Sequence, residues 1–250
     1  MNLSVIIPVY RESPEHLLPL VGRVRAAVPA ARLIIVDDGN AESEWLTPLA
    51  DIVVRHEQNR GYVHAIRSGL TKALADPNCT AVIKLDADGQ YFPERIPMMV
   101  RKHLDGFEVV SASRYLGAPV HTGYPEREAV NRIISRELAD RGIVSTDPFT
   151  GFRLFSRRAV ERLLDGMGDH VCKYGYGLSL ETTLRIHLLN LRATEVPCEL
   201  HYPTLKQFPG DMADPKWRLR YYRQMIEGML AKTNQKVGVC GNRSGFLQAS

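Results

Sequence analysis

The sequence predicts an α/β fold, a mostly parallel sheet flanked by helices, and three observations carry that expectation. Short apolar runs alternate with amphipathic stretches through the first half of the chain. The amphipathic stretches open with proline or follow glycine, as helix starts do. Acidic, basic and aromatic residues recur just after the apolar runs, where a parallel sheet presents the carboxyl ends of its strands and takes its ligands.

The strand-like runs are Ser4–Val9, Leu33–Val36, Ile52–Arg55, Ala81–Leu85 and Val109–Ala112. Helical patterns separate them, clearest at Pro14–Val28, Tyr62–Leu74 and Pro93–Leu104. The second half is less regular. A helix is expected over Glu126–Arg141, then a loop over Thr146–Arg153, a helix over Leu178–Leu191 and a strand over Thr194–Leu200. Residues Tyr202–Asp214 read as a loop punctuated by proline and glycine. Asp214-Pro215 supplies a cap and first turn for a helix reaching about Lys232, and the chain from Gln235 reads as a frayed tail. This divides the protein into one domain, residues 1–234, with halves at 1–115 and 116–234, and a tail at 235–250.

Of the 250 residues, 44% are hydrophobic and 24% charged, an ordinary globular balance. A chain of this length buries about three quarters of its unfolded surface and needs no staple to fold. The net charge of +4 suits an anionic substrate but is too mild to argue for nucleic acid, and no such partner is expected. The four cysteines stand far apart with no CxxC pair, as free thiols in a reducing compartment do. With neither a signal-peptide pattern nor a membrane-spanning apolar run, the expected location is the cytoplasm, with contact at the inner membrane face as the alternative.

Asp86-Ala87-Asp88 is the strongest chemical signal. Two carboxylates flanking a small residue beyond a buried strand can meet one hard cation and leave positions open for phosphate oxygens. Gln90 can add a neutral oxygen. Asp and Gly also favour ordinary turns, and that is the competing reading here and at Asp37-Asp38-Gly39. Asp38, Glu12 and Tyr10 can serve a base and ribose as acceptors and a stacking face. The Asn59-Arg60-Gly61-Tyr62 segment precedes a helix whose amides can face an anion, though it lacks the ending of a phosphate-binding P-loop. Arg114, Arg127 and Arg153 are candidate anion clamps, because guanidinium forks match phosphate geometry; surface ion pairing is the bland alternative. Glu181, with Tyr174 and Tyr176 just before it, is either a general base or a favourable acid at a helix start. On the last helix, Lys216, Arg218, Arg220 and Arg223 accompany apolar residues at helical spacing. Docking onto the domain is the preferred reading there, and peripheral membrane contact through residues 215–232 the sharper one.

The ordered set SVIIPVYRE, IIVDDGN, NRGYVHAIRSG, KLDADGQ, SASRY and DPFTGFRLF resembles glycosyltransferase family 2, and within it the dolichol-phosphate mannose synthases and bacterial polyprenyl-phosphate glycosyltransferases. The resemblance runs from about Ser4 to Leu200. It implies a GT-A fold, a nucleoside diphosphate sugar donor (UDP- or GDP-linked), Mg²⁺ or Mn²⁺, and inversion at the anomeric carbon. It also implies that Pro8, Tyr10, Glu12, Asp38 and Gly61 line the base and ribose. Asp86 and Asp88 would organise metal and diphosphate with Gln90 assisting, and Arg114 and Arg153 would meet anions of the acceptor or diphosphate. Glu181 occupies the place of a glutamate that follows a Gly-aromatic stretch in these enzymes. An acceptor phosphate is already a nucleophile; a hydroxyl acceptor would need a base, for which Glu181 or Asp147 is the candidate.

Two departures from the family pattern concern the acceptor. The apolar C-terminal segments of membrane-anchored relatives have no counterpart here, and the acceptor-side loop reads His201-Tyr202-Pro203-Thr204-Leu205-Lys206-Gln207 rather than basic and Gly/Ser-containing. The acceptor is therefore either a polyprenyl phosphate or a soluble molecule. The rival readings are a haloacid-dehalogenase-like phosphatase, which shares a DxDG after an apolar strand, and a non-catalytic sugar-nucleotide-binding subunit. A nucleotidyltransferase would want a Gly-rich basic loop after the first strand, and a NAD-binding domain a GxGxxG; both are missing.

Overall fold

Strand β1 (Leu3–Val9) sends alternate side chains to opposite faces of the sheet, and both faces are covered. Val5, Ile7 and Val9 join one apolar cluster, and Ile6 joins another. The chain then passes through helix α1 (Pro14–Ala27), strand β2 (Arg32–Asp37), a 3₁₀ turn at Glu44–Leu49, strand β3 (Ile52–Arg55), helix α2 (Tyr62–Leu74) and strand β4 (Ala81–Lys84). After a second 3₁₀ turn at Pro93–Arg95 come helix α3 (Ile96–Leu104), strand β5 (Val109–Ser113), helix α4 (Pro125–Ala139), strand β6 (Arg153–Ser156) and helix α5 (Arg157–Leu164). Helix α6 (Leu178–Leu188), strand β7 (Ala193–Pro197), a 3₁₀ turn at Gly210–Ala213 and helix α7 (Pro215–Cys240) complete it. This computed structural model describes residues 1–117, 125–172, 175–199 and 210–240, the side chains of 210, 211 and 232–240 excepted.

The strand order is β3-β2-β1-β4-β6-β5-β7. β6 runs antiparallel to both its neighbours, whereas the pairs β1–β2, β1–β4, β2–β3 and β5–β7 are parallel. The carboxyl ends of β1, β2, β4 and β5 therefore share one edge, and reversed β6 begins there with Arg153 opposite Lys84. Helices α1 and α3 cover one face, with Leu17, Leu20, Val24, Ile96 and Met99 on the cluster around Val5 and Ile7. Helices α2, α5 and α6 cover the other, with Ile66, Leu70, Val160 and Ile186 around Ile6 and Ile34. A third cluster joins α4, α6 and α7 through Ile134, Leu180, Leu184, Tyr222 and Ile226.

The predicted mostly parallel sheet is present: five of the six expected strands have ends within a residue of those predicted, and Ile52–Arg55 and Tyr62–Leu74 coincide with their predicted limits. The strand expected over Thr194–Leu200 is Ala193–Pro197, ending at a proline that has no N–H for a further ladder bond. Three further expectations are corrected, and one helix was missed. Pro93–Leu104 is not one helix, because Pro97 lacks an N–H and fits only in a first turn, so the α-helix starts at Ile96. The loop expected through Arg153 ends earlier: Arg153 opens β6, a strand of four residues whose signal is too short to stand out. Helix α5 was not foreseen, although Ser156 caps it by accepting from the Ala159 N–H at 3.0 Å. Helix α7 continues to Cys240 rather than fraying from Gln235; Ala231, Lys232, Gln235 and Lys236 are good helix formers with no proline among them. Tyr174, Leu200, the loop 201–207 and residues 241–250 of the expected tail lie outside the described residues.

Candidate active site

A cleft of about 660 Å³ opens at the carboxyl edge of the sheet. Ten of the residues singled out in the sequence line it: Pro8, Tyr10, Glu12, Asp38, Gly61, Asp86, Asp88, Gln90, Arg114 and Arg127. They come from the ends of β1, β2, β4 and β5, the start of α2 and the first turn of α4. Tyr176, Leu178, Arg218 and Tyr222 close the opposite side, so α6 and α7 complete the cavity that the sheet begins.

The β1 and β2 ends are built by hydrogen bonds. Asn40 donates through Nδ2 to the Val9 carbonyl at 3.1 Å and accepts from the Arg11 N–H at 2.6 Å. This holds Arg11 at φ 58°, a left-handed conformation uncommon for a non-glycine residue. Asp38 is buried and accepts from the backbone N–H groups of Arg60 (3.0 Å) and Gly61 (2.9 Å), with His56 Nδ1 at 2.6 Å. His56 Nε2 in turn meets Ser68 Oγ at 2.8 Å. Asp38 thus ties the Asn59–Gly61 segment to the sheet edge while also lining the cleft. Gly39 is obligatory: its φ is +81°, and a Cβ would collide with the Gln58 backbone.

Asp86 and Asp88 lie at the centre. Lys84 and Asp86 are two residues apart at the end of β4 and share a side of the chain, which brings Lys84 Nζ to 2.7 Å from Asp86 Oδ1. The Tyr62 hydroxyl donates to the same oxygen at 2.7 Å, and Lys84 Nζ also bonds that hydroxyl. Burial pulls the Lys84 ammonium below the ordinary lysine value, with Asp86 pulling the other way. Burial, with Asp86 second, pushes the Tyr62 phenol well up and keeps it a donor. Gly151 packs against Asp86 Oδ2 with no room for a Cβ, and its N–H donates to the Tyr91 hydroxyl at 2.7 Å. Asp88 Oδ1 accepts from the Gln90 N–H at 3.2 Å.

Three predicted site residues are not at the cleft surface. Asp147 is fully buried; its carboxylate takes Arg114 Nε and Nη2, both at 2.6 Å, the Arg114 N–H at 3.1 Å and Asn131 Nδ2 at 3.0 Å. Burial alone would lower the Arg114 pKa, and the Asp147 carboxylate reverses that and lifts it. Arg153 is buried beneath the floor, donating to the carbonyls of Ser179 (3.0 Å) and Pro148 (3.3 Å) and to Thr183 Oγ1 (2.7 Å). Burial lowers its guanidinium to about 10. Glu181 is fully buried on α6, accepting from the N–H groups of Gly168 (2.8 Å) and His170 (3.2 Å). Neither carboxylate is placed as a base and Arg153 is not placed as an anion clamp; each is spent on holding a loop.

Residues 4–164 match the sequence profile of Glycosyl transferase family 2. The chain belongs to that family. It is 27% identical over 211 residues to an undecaprenyl-phosphate mannosyltransferase of Micrococcus luteus, covering 79% of this chain and 82% of that one. It is 28% identical over 206 residues to a polyprenol monophosphomannose synthase of Mycolicibacterium smegmatis, covering 77% and 75%. Its fold is similar to the crystal structure of glucosyl-3-phosphoglycerate synthase from Mycobacterium tuberculosis in complex with Mn²⁺, UDP and glucosyl-3-phosphoglycerate, with a TM-score of 0.60, 16% identity, and 93% and 79% of the two chains covered.

The architecture of this family 2 glycosyltransferase is thus a GT-A fold, and the phosphatase reading finds no support. Its acidic pair fits a hard divalent cation. Two carboxylates and the Gln90 amide face one cleft, and among the described residues no group of three or more His, Cys, Asp and Glu side chains could hold an ion alone. A cation there would need further oxygens from a bound anion.

Sequence reasoning missed Tyr62, Lys84, Tyr91 and Arg218 as parts of this site. Lys84 carried a usable signal, since a lysine closing the buried strand Ala81–Lys84 needs a counter-ion and Asp86 is the nearest acid. The apolar face of α7 is spent on α4 and α6, Arg218 is buried at the cleft, and Arg223 is forked onto Glu137. Docking onto the domain is the reading this geometry favours over peripheral contact through residues 215–232. No helix among the described residues is long and apolar enough to cross a membrane.

Proposed function

We propose that this glycosyltransferase moves a hexosyl or related sugar from a nucleoside diphosphate to a phosphate-bearing acceptor, with inversion at the anomeric carbon. One observation carries the reading: acids, aromatics and arginines distant in sequence line a single cleft, with the acidic pair at its centre. Residues 1–115 form the donor half in this reading, and residues 116–234 the acceptor half. Pro8, Tyr10, Glu12, Asp38 and Gly61 receive the base and ribose. Asp88, with Asp86 and Gln90 beside it, would hold Mg²⁺ or Mn²⁺, whose chemistry is to offset charge on the leaving diphosphate.

Arg114 and Arg127 stand on the wall nearer α4, with Arg218 from α7. Guanidinium groups there would grip an anionic acceptor and aim one oxygen at the anomeric carbon. That oxygen forms the new glycosidic bond as the bond to the nucleoside diphosphate breaks on the other face of the ring. With Asp147 and Glu181 buried in structural bonds, an acceptor that is already ionised suits the cleft better than a hydroxyl, because it needs no general base. Phe149 and Tyr222, ring centroids 4.7 Å apart, add apolar surface on the acceptor side. The relatives named for undecaprenyl phosphate and polyprenol make a polyprenyl phosphate the first acceptor to test.

The test is to incubate the enzyme with UDP- and GDP-sugars, Mn²⁺ and undecaprenyl phosphate, and to determine the product's anomeric configuration by NMR. A glycosyl phosphate of configuration opposite to the donor supports the reading. Retention, or transfer only to hydroxyl acceptors, refutes it.

A further inference from the structure

Asp86 and Asp88 are separated by the single residue Ala87, yet Asp86 is already engaged from below. Lys84 Nζ and the Tyr62 hydroxyl both bond its Oδ1 at 2.7 Å, and Gly151 crowds its Oδ2. The Lys84 side chain is only 8% exposed, and its cross-strand partner is another buried cation, Arg153. A buried ammonium must keep its counter-ion, and Asp86 is the carboxylate in contact with it. Lys84 therefore offsets part of the negative charge that Asp86 brings to the pair.

We infer that Lys84 is a counter-ion that weakens capture of a divalent cation by Asp86 and Asp88 alone, so that the cation is held firmly only together with the nucleoside diphosphate. This rests on the cation and donor assignments proposed above. A diphosphate returns the negative charge and oxygens that Lys84 has cancelled. Each partner then strengthens the other by the same factor. Lys84 acts through Asp86 and is a positioning residue.

The test is titration of Mn²⁺ followed by electron paramagnetic resonance of the free ion, with and without UDP or GDP, on wild type, Lys84→Met and Lys84→Arg. In wild type the diphosphate strengthens Mn²⁺ binding by about tenfold or more, the scale of one nearby charge. Lys84→Met binds Mn²⁺ alone about tenfold more tightly, and the gain from diphosphate shrinks in proportion. Lys84→Arg, which keeps the charge, behaves as wild type. Lys84→Gln, which keeps a donor to Asp86, stands in with the same expectation if Lys84→Met does not fold. The inference is overturned if a folded Lys84→Met or Lys84→Gln protein binds Mn²⁺ no more tightly than wild type while diphosphate still strengthens binding. It is also overturned if wild type holds Mn²⁺ equally well with and without diphosphate. A wild type that binds no Mn²⁺ even with UDP and GDP overturns the cation assignment as well, which separates the two failures.

Discussion

Replacing Gly151 by alanine tests how far the cleft depends on the placement of Asp86. The new methyl carbon would lie 2.9 Å from Lys84 Nζ, 3.1 Å from Asp86 Cγ, and closer still to Asp86 Oδ2. Relief at that oxygen requires a shift of about 1 Å, and a misplacement of about 1 Å in a reacting array costs on the order of 100-fold in rate. The carboxylate cannot yield cheaply, because Lys84 and Tyr62 hold its other oxygen. The loop cannot yield cheaply either, since the Gly151 N–H is bonded to Tyr91. Overpacking of this kind costs roughly 1–3 kcal/mol in stability, which leaves a folded protein to assay. Consumption of the preferred sugar nucleotide is measured at saturating Mn²⁺ beside a thermal melt. Activity falls about 100-fold with a modest drop in Tm. A Gly151→Ala enzyme that folds and keeps activity within about threefold of wild type refutes the placement argument.

Other outcomes follow from the same geometry. Asp147→Ala leaves the Arg114 guanidinium, 14% exposed at the cleft wall, without its partner and costs about 3 kcal/mol, seen as a lower urea midpoint, whereas the double change with Arg114→Met recovers part of it; equal losses would contradict the pairing. Burial raises the Glu181 pKa, so the folded state binds its proton more tightly than the unfolded chain does. Stability should therefore decline as pH rises from the ordinary glutamate range through that raised value, and Glu181→Gln should remove the slope in denaturant titrations across that window. Tyr62→Phe loses one donor to Asp86 but keeps Lys84, so it should lower kcat severalfold and leave Tm within about 2 °C; an unchanged kcat would show that the hydroxyl does not position Asp86.

Most of the sheet was legible because buried parallel strands and amphipathic helices have different periods. Ser4–Val9 and Tyr62–Leu74 are long enough to show theirs. Arg153–Ser156 is not, and its reversed direction depends on partners remote in sequence. At the cleft, residues that follow a strand end were found, because strand direction alone brings Tyr10, Asp38, Asp86 and Arg114 to one edge. Asp147, Arg153 and Glu181 lie off the cleft surface, and the sequence did not show this for a common reason. A charged residue beside glycine and aromatics reads as reactive, and only the fold reveals that its bonds are already made to Arg114, to the Ser179 carbonyl or to the Gly168 amide. Arg218 was visible only as part of a basic helix, and which turn faces inward is decided by packing against α4.

The central claim is that the cleft grips a nucleoside diphosphate sugar through a cation held at Asp88 and Asp86. Calorimetric titration of UDP- and GDP-sugars into wild type and Asp88→Ala, each with Mn²⁺ and then with EDTA, tests it directly. At least one donor should bind wild type with Mn²⁺, lose most of its affinity in EDTA, and bind the folded variant no better than wild type binds it in EDTA. Equal affinity in all of these conditions, or no binding of any donor, would contradict the account.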